Sequence, residues 1–342
     1  MKLTLTPKLL LLLLLSLCGL NLSAQDIFRV MFYNVENLFH PSDESGKDDE
    51  EFTPEGLRRW NNYRYYRKLN NIAKVITAVG EWETPALVGL CEIENEQTIE
   101  DLTAHSLLRQ RQYRYVLTES PDARGIDVAL LYQRDRFRLI AQESIRIKFP
   151  KNPQKRTRDL LHVSGQVISG DTVDVFVCHF PSRRGGQAAS EPDRLQVAKT
   201  LRAATDSLLR IRSHANIVMM GDFNDEPTDR SMLQLTADRK FYNLFAPIAA
   251  TAASGSYRFQ GEWNFIDQIF VSSRLLDRQN NFHVIAETAQ IFQADFLLTN
   301  DASYGGKRPF KTFNGVRYEG GYSDHLPVFV DFVSMSATGL TK

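Results

Sequence analysis

Short apolar runs of strand character recur along the chain, whereas only two segments show the periodicity of a long amphipathic helix. A purely alternating parallel fold would need more helices than this. Strands mixed with a few long helices favour two β-sheets that pack face to face, with the helices outside. The runs that predict strands cover residues 27–33, 86–91, 126–132, 137–147, 160–167, 172–178, 216–220, 265–271 and 328–332.

Two helices are predicted from apolar residues at helical spacing. In the first, Leu69, Ile72 and Ile76 lie on one stripe, and Gly80 ends the pattern. The second helix is predicted over 191–211. The expected fold class is therefore α+β: a four-layer α/β sandwich of two packed mixed β-sheets with helices on the outer faces.

The N-terminal segment has the composition of a secretory signal peptide, residues 1–24. Lys2 and Lys8 precede an unbroken run of leucines, and small residues stand before a cleavage site after Ala24. The apolar run is too short for a comfortable membrane span. Cys18 is a candidate for lipid attachment, but the leucine before it suits that modification poorly, so a lipid anchor is not expected. We expect export to the periplasm or the extracellular space.

Residues 25–342, the expected mature chain, could form two domains by length, but large single α/β domains of this size are common and we expect one. Loss of the signal removes Lys2 and Lys8 and no acidic residue, so 41 basic and 41 acidic residues become 39 and 41, a net charge of −2. Such a chain lacks the basic footprint of an architectural nucleic-acid binder, yet an enzyme that meets phosphates through a metal remains compatible. Cys91 and Cys178 lie in apolar runs. We interpret them as buried free thiols, with a bridge as the alternative.

Polar side chains stand at the ends of several predicted strands. Each shares its strand face with apolar residues two and four positions away, and the set is Asn34, Glu92, His179, Asp222 and Asp267. Taken singly, each has a structural interpretation, such as a turn former or a core histidine. That interpretation does not explain all these strand ends at once. An unpaired buried charge is costly, and these groups would satisfy one another best around a metal ion.

Two segments add a carboxylate beside an amide or an imidazole. Segment 221–227 contains Asp222 and Asn224, and segment 321–327 contains Asp324 and His325. Such groups can hold a hard divalent cation against a phosphate and move a proton next to it.

The motifs occur in a characteristic order: Asn34-Val35-Glu36, Glu92, His179, Gly221-Asp222-Phe223-Asn224, Asp267 and Ser323-Asp324-His325. This ordered set resembles the endonuclease/exonuclease/phosphatase superfamily. That superfamily includes pancreatic-type deoxyribonucleases, abasic-site endonucleases, inositol-polyphosphate 5-phosphatases and bacterial sphingomyelinases. The resemblance covers nearly the whole mature chain, and the surrounding segments are similar to its secreted bacterial branch.

The resemblance implies a metal site. Glu92, with Asn34 nearby, would ligate Mg²⁺, or Mn²⁺ or Ca²⁺ in its place, and Asp324 would lie next to the metal. Glu36 stands where abasic-site enzymes have an aspartate and is assigned to the same site. Oxygen-only ligands independently favour these cations over zinc.

The resemblance also implies the catalytic groups. Asp222 and Asn224 would position and activate the attacking water. His325, oriented by Asp267, would be the acid/base or charge-stabilising imidazole, and His179 would hydrogen-bond a phosphoryl oxygen. The chemistry would be displacement at phosphorus, helped chiefly by charge neutralisation and positioning.

Two basic features have both a functional and a structural interpretation. Arg183 and Arg184 could bind phosphate oxygens, or could be loop arginines without a role. Near the start of the first helix, basic and tyrosine side chains could line a nucleic-acid path or form a solvated helix face. These are Arg58, Arg59, Tyr63, Arg64, Tyr65, Tyr66, Arg67 and Lys68.

The expected function is an exported phosphodiesterase that cuts DNA or RNA, without a stable protein partner. The alternative is a phosphoesterase of the same fold acting on a phospholipid or a small phosphoester. No exposed aromatic membrane hairpin is evident in the sequence, which favours nucleic acid. A non-catalytic binding protein would not need the complete set of site residues. A serine hydrolase using Ser323, Asp324 and His325 is not expected, because adjacent triad members could not easily converge.

Overall fold

A computed structural model describes residues 26–42 and 46–335 of the chain. The expected signal peptide, residues 1–24, lies outside the described residues. Within the described ranges, no helix combines the length and the apolar character needed to cross a bilayer.

The described residues form strands that are numbered in chain order. They are β1 (Asp26–Leu38), β2 (Leu87–Ile93), β3 (Arg114–Leu117), β4 (Asp127–Tyr132), β5 (Phe137–Ile145), β6 (Leu160–Val167), β7 (Thr172–His179), β8 (Asn216–Asp222), β9 (Phe241–Asn243), β10 (Tyr257–Phe259), β11 (Glu262–Asn264), β12 (Asp267–Ser272), β13 (Phe282–Ile291), β14 (Leu298–Asn300), β15 (Lys307–Pro309), β16 (Phe313–Asn314), β17 (Arg317–Tyr318) and β18 (Val328–Ser334).

In the described part of the chain, most strands belong to two six-stranded mixed sheets. The first has the order β13-β18-β1-β2-β4-β3, and the second has the order β5-β6-β7-β8-β12-β9. The pairs β1–β2 and β7–β8 are parallel, and their neighbours are antiparallel. Smaller two-stranded hairpins are formed by β10–β11, β14–β15 and β16–β17.

The helices lie between these strands. Asn61 caps the first by accepting a hydrogen bond from Arg64 N, and Asn95 and Thr98 form a capping box at the second. The third begins one turn before its predicted start. In chain order they are α1 (Asn62–Gly80), α2 (Glu96–Ala104), α3 (Gln187–Ile211), α4 (Arg230–Thr236) and α5 (Ala246–Ala249), with 3₁₀ turns at Glu50–Phe52, Leu107–Arg111, Ser273–Leu276 and Asp295–Leu297.

Strand alternation divides the apolar side chains among three core regions. Val30 and Phe32 of β1 share the core between the sheets with Met220 of β8. The alternate residues of β1 and β2 pack with α1 on one outer face, and those of β7 and β8 pack with α3 on the other. The order helix, sheet, sheet, helix confirms the predicted four-layer α/β sandwich. Cys91 and Cys178 are free and buried in these cores, as expected.

Candidate active site

Asp222 lies at the centre of a polar cluster at one end of the two sheets. It is the last residue of β8, whose register pairs it with His179 of the parallel strand β7 and with Asp267 of the antiparallel strand β12. All three follow the alternation of their strands and extend the inter-sheet face. Each is almost completely buried. The fold therefore places a histidine and a second aspartate beside Asp222.

His325 joins this cluster from the loop before β18. Its Nδ1 lies 2.7 Å from Asp267 Oδ2, and its Nε2 lies 3.8 Å from Asp222 Oδ2. Ser256 Oγ donates a hydrogen bond of 2.6 Å to Asp267 Oδ2, and Asp267 N donates one of 3.2 Å back to Ser256 Oγ. The ring of Tyr257 packs against the imidazole, with 4.7 Å between the ring centroids. These contacts fix the orientation of the imidazole. Neither Ser256 nor Tyr257 was predicted from the sequence.

The two histidines of the cluster differ in charge. Burial alone would lower the pKa of His325, but the carboxylates of Asp267 and Asp222 outweigh it and hold the pKa well above its usual value. His325 is therefore an imidazolium at neutral pH. Burial lowers the pKa of His179 well below its usual value, and the charge of Arg158 adds to this effect. His179 is therefore neutral.

Asn34 and Asn224 hold the two oxygens of Asp222. Asn34 Nδ2 donates to Asp222 Oδ2 over 3.1 Å, and Asn224 N donates to Asp222 Oδ1 over 2.9 Å. Asn224 adopts a φ of +52°, a left-handed conformation that asparagine tolerates. Burial raises the pKa of Asp222 to about 7, although the charge of His325 opposes the rise. A carboxyl group with this pKa can exchange a proton at neutral pH.

Glu92 reaches the cluster by a route that strand alternation does not predict. Val88 and Leu90, whose face Glu92 was expected to share, pack against the helix layer. A bulge in β2 and a φ of +65° at Glu92 redirect its side chain. Glu92 Oε1 lies 3.9 Å from His179 Nε2, and Oε2 accepts a hydrogen bond of 2.7 Å from Asn37 N. Glu92 therefore lies in the cluster as predicted. The reason given for the prediction, that it shares a strand face with Val88 and Leu90, was wrong.

Glu36, which the resemblance assigns to the metal site, has several partners within the protein. Its Oε2 accepts a hydrogen bond of 2.6 Å from Thr312 N, and its Oε1 accepts one of 3.2 Å from Phe313 N. Lys68 Nζ lies 3.9 Å from Oε2. Burial raises the pKa of Glu36 to about 7, against the effect of Lys68. Backbone donors and a lysine engage this carboxylate, so Glu36 anchors the segment after β15, and its assignment as a metal ligand stays a prediction.

The carboxylates of Glu92 and Asp324 are the better candidates for a cation site. Asp324 keeps 34% of its side chain exposed, so its carboxylate remains accessible to solvent. Desolvation by the surrounding protein raises its pKa; His325 opposes this rise, and the negative charge of Glu92 adds to it. Glu92 and Asp324 would hold a divalent cation through carboxylate oxygens, and its positive charge would offset this repulsion.

A second group of candidate ligands consists of Asp222, Asp267 and His325, which place one donor atom each within 4.8 Å of one another. The hydrogen bond between His325 Nδ1 and Asp267 Oδ2 engages two of these residues with each other. An imidazolium has no lone pair for a metal. We therefore interpret this group as proton-handling machinery and assign the candidate cation site to Glu92 and Asp324.

Arg183 and Arg184 differ in their surroundings. Arg183 Nε donates to Asn224 O over 2.7 Å, its Nη2 donates to Asp229 Oδ2 over 2.9 Å, and its Nη1 donates to Asn264 Oδ1 over 3.3 Å. Arg183 thus links the Asn224 turn to β11 and does not present a free guanidinium to phosphate. Arg184 is exposed, and phosphate binding by it stays a prediction.

The predicted nucleic-acid path along α1 contains two buried residues. Tyr65 is fully buried, and its hydroxyl donates to Asp101 Oδ2 over 2.9 Å. Lys68 is 1% exposed, and its Nζ donates to Thr312 Oγ1 over 2.5 Å and to Tyr322 O over 3.1 Å. These two residues stabilise the fold and cannot contact a nucleic acid. Arg59, Tyr63, Tyr66 and Arg67 of the same set are exposed, and nucleic-acid binding by them stays a prediction.

The sequence matches a family model described as Endonuclease/Exonuclease/phosphatase family over residues 29–334. A comparison with curated proteins finds no match. Solved structures share the fold. A mannosyl-6-phosphatase from Bacteroides thetaiotaomicron has a TM-score of 0.58 and 17% identity, covering 90% of this chain and 99% of that chain.

Two further structures extend this likeness. The human Nocturnin catalytic domain has a TM-score of 0.55 and 17% identity, covering 90% of this chain and 97% of that chain. D. rerio TDP2 complexed with a single-strand DNA product has a TM-score of 0.56 and 14% identity, covering 90% of this chain and 99% of that chain. At these identities the likeness establishes the fold and leaves the substrate open.

Proposed function

The chain belongs to the endonuclease/exonuclease/phosphatase family, and on that premise we propose that it is a divalent-metal-dependent phosphodiesterase that cuts nucleic acid. The family match confirms the resemblance seen in the motifs. The observation that carries the proposal is the meeting of Asp222, the neutral His179 and the His325–Asp267 pair at one end of the sheets. Water attack on phosphorus needs a proton acceptor and donors to the phosphoryl oxygens, and this cluster contains both.

The donor set beside this cluster fits a hard divalent cation. Glu92 and Asp324 would hold it through carboxylate oxygens. Asn34 Oδ1 accepts a hydrogen bond of 3.0 Å from Glu36 N and has a second lone pair for the same purpose. Oxygen ligands select Mg²⁺, Mn²⁺ or Ca²⁺. Such an ion, when bound, would neutralise negative charge on the phosphate.

Asp222 is placed to handle the proton of the attacking water. Its pKa of about 7 lets it accept a proton at neutral pH, and Asn34 and Asn224 keep its oxygens in one orientation. In the proposed reaction, Asp222 would take up the proton of the attacking water while these two contacts keep its carboxylate oriented.

The two histidines would interact with the phosphate of the substrate. The imidazolium of His325, held by Asp267, can stabilise negative charge that develops on the phosphoryl group. His179 Nδ1 is buried without a hydrogen-bond partner, and its Nε2 lies 3.7 Å from Asp222 Oδ2, beyond hydrogen-bond distance. Since a buried unpaired polar ring is costly, a phosphoryl oxygen is a fitting partner for His179.

Nucleic acid is the proposed substrate class, and export directed by residues 1–24 is part of the proposal. Support comes from a related fold: D. rerio TDP2 is complexed with a single-strand DNA product. The rival substrate class is a small or lipid phosphoester, since a mannosyl-6-phosphatase shares the fold.

A substrate panel tests the proposal. The purified protein with Mg²⁺ should cleave single-stranded DNA or RNA and lose this activity in EDTA. Sphingomyelin, an inositol phosphate and a sugar phosphate complete the panel. Rapid hydrolysis of one of these without any cleavage of nucleic acid would contradict the proposed substrate class.

A further inference from the structure

Two adjoining hairpins each expose one aromatic ring, and the first of them, β10–β11, lies beside His325. Phe259, the last residue of β10, is 56% exposed, and Tyr304, in the turn between β14 and β15, is 58% exposed. Tyr257, two residues before Phe259, packs against the imidazole of His325. Residues two apart on a strand share a face and lie about 7 Å apart. Phe259 therefore extends outward the same face that Tyr257 presents to the catalytic imidazole.

Arg258 joins the two hairpins into one frame. Its Nε donates to Gly261 O over 2.9 Å, its Nη2 donates to Gly305 O over 2.9 Å, and its Nη1 lies 3.1 Å from Asp301 Oδ2. Asp301 Oδ1 in turn accepts a hydrogen bond of 3.1 Å from Tyr304 N. The Arg258 side chain is only 8% exposed. The two exposed rings are thus mounted on a hydrogen-bonded support.

Tyr304 lies directly on the turn that follows Phe259. A Cβ built on Gly261 would come within 2.9 Å of Tyr304 Cβ and 3.2 Å of its Cγ. Gly261 also has a φ of +87°, which favours glycine. The absence of a side chain at Gly261 therefore allows the second ring to lie next to the hairpin that carries the first.

We propose that Phe259 and Tyr304 form a stacking platform for the nucleobases that flank the scissile phosphate of a single-stranded nucleic acid. The proposal rests on the function proposed above and adds a subsite to it. Base stacking uses aromatic faces and tolerates any sequence. Lys307, which is exposed on β15, places positive charge beside the platform for the phosphate backbone.

The surroundings of the rings favour a nucleic acid over a membrane. The residues that follow Phe259 at the hairpin tip include Gln260 and Glu262, both exposed and polar. A membrane-inserting tip would present an apolar surface, and an acidic residue there opposes binding to anionic headgroups. The two rings are isolated between charged residues, and Phe259 lies on the same strand face as Tyr257, which contacts His325. This arrangement is suited to base stacking.

Equilibrium binding tests the platform independently of cleavage. An Asp222→Asn background prevents turnover, and fluorescence anisotropy compares a labelled oligothymidylate with a strand of the same length whose nucleotides are abasic. Phe259→Ala and Tyr304→Ala should each weaken binding of the oligothymidylate about fivefold or more, the scale of about 1–3 kcal/mol per stacked base. Binding of the abasic strand should change little.

Matched variants separate stacking from other effects. Phe259→Trp should retain affinity because it keeps an aromatic face. Trp82, which follows α1, is 97% exposed, and Trp82→Ala should not change the affinity for either strand.

The platform would be overturned if the alanine variants lost equal affinity for the oligothymidylate and the abasic strand. It would also be overturned if they lost affinity only for phosphatidylcholine vesicles. If the wild-type protein cleaves the strand while the alanine variants keep their base-dependent affinity, the platform fails and the proposed function stands. Base-dependent binding that the variants weaken, without cleavage by the wild-type protein, would refute only the function.

Discussion

Asp267 Oδ2 lies 2.7 Å from His325 Nδ1, and the opposite nitrogen of the same ring lies 3.8 Å from Asp222 Oδ2. Asp267 is buried, and Ser256 donates a second hydrogen bond to the same carboxylate oxygen. The pair therefore holds a charged imidazole in one orientation beside the group assigned to the attacking water.

The first prediction is that Asp267 and His325 act as one unit. Asp267→Asn and His325→Ala should each lower kcat by roughly 10²-fold or more, the scale of acid/base catalysis. The double variant should be scarcely worse than either single variant, because each change already disables the pair. Steady-state kinetics of all three, with His214→Ala as an exposed control, measures this. Losses that multiply in the double variant would show independent roles.

The second prediction concerns pH. Since the carboxylates of Asp267 and Asp222 hold the pKa of His325 above 6.5, the wild-type protein should keep its imidazolium, and its activity, through neutral pH. Asp267→Asn removes one of these charges, so the pKa of His325 should fall and the basic limb of the kcat profile should move to lower pH. Titration of the His325 ring protons by NMR gives a readout independent of turnover. An unchanged titration in the variant would rule out this charge coupling.

The third prediction separates the candidate metal ligands from Glu36. Glu92→Gln and Asp324→Asn should each weaken Mg²⁺ or Mn²⁺ binding in calorimetric titrations, because each removes a carboxylate oxygen from the proposed site. Glu36→Gln should instead lower the Tm, since Glu36 pairs with Lys68 and accepts hydrogen bonds from Thr312 N and Phe313 N. The metal affinity of that variant should stay close to that of the wild type. The assignment fails if Glu36→Gln weakens metal binding and Glu92→Gln does not.

The fourth prediction concerns the support of the Asn224 turn. Arg194 Nε lies 2.7 Å from Asp225 Oδ1, and the two side chains are 0% and 1% exposed. Removing one member of a buried ion pair leaves the other uncompensated, so Arg194→Ala should lower the free energy of unfolding by about 3–5 kcal/mol. The control, Arg278→Ala, breaks an ion pair with Glu287 in which each side chain is 67% exposed. This variant should lower the free energy of unfolding by only about 0–1 kcal/mol. Urea denaturation compares them, and similar losses would contradict the structural role of Arg194.

Strand alternation alone was enough to place part of the site. His179, Asp222 and Asp267 lie on the same face as the apolar residues that precede or follow them, and that face is the core between the sheets. The period of two is a local property of a regular strand, so it can be recognised without knowledge of the partners. Two sheets with outer helices followed from the same pattern.

Glu92 and Ser256 show where such reasoning ends. The bulge that turns Glu92 toward His179 depends on the neighbouring strand, because Asn37 N donates to the redirected carboxylate. Ser256 reaches Asp267 only through the hairpin β10–β11, whose three-residue strands are too short to show a period. The positions of the Glu92 and Ser256 side chains therefore depend on contacts between segments distant in sequence, which a local sequence pattern does not contain.

Lys68 was predicted to be exposed, although its position in the sequence already indicated the buried side of α1. It follows Tyr65 by three residues and precedes Leu69 and Ile72 by one and four, so it lies on the apolar stripe of α1. Its positive charge favoured an exposed position. Acceptors from distant segments, Thr312 Oγ1 and Tyr322 O, satisfy the ammonium group inside the protein.

The central claim is that Asp222 handles the proton of a water that attacks phosphorus. The most direct measurement is cleavage of a single-stranded oligonucleotide in ¹⁸O-labelled water, with mass spectrometry of the products. The wild-type protein with Mg²⁺ should place the label on the phosphate end of the product, and Asp222→Asn should abolish this incorporation while still binding the strand. Label found on the sugar hydroxyl, or undiminished incorporation in the Asp222→Asn variant, would contradict the account.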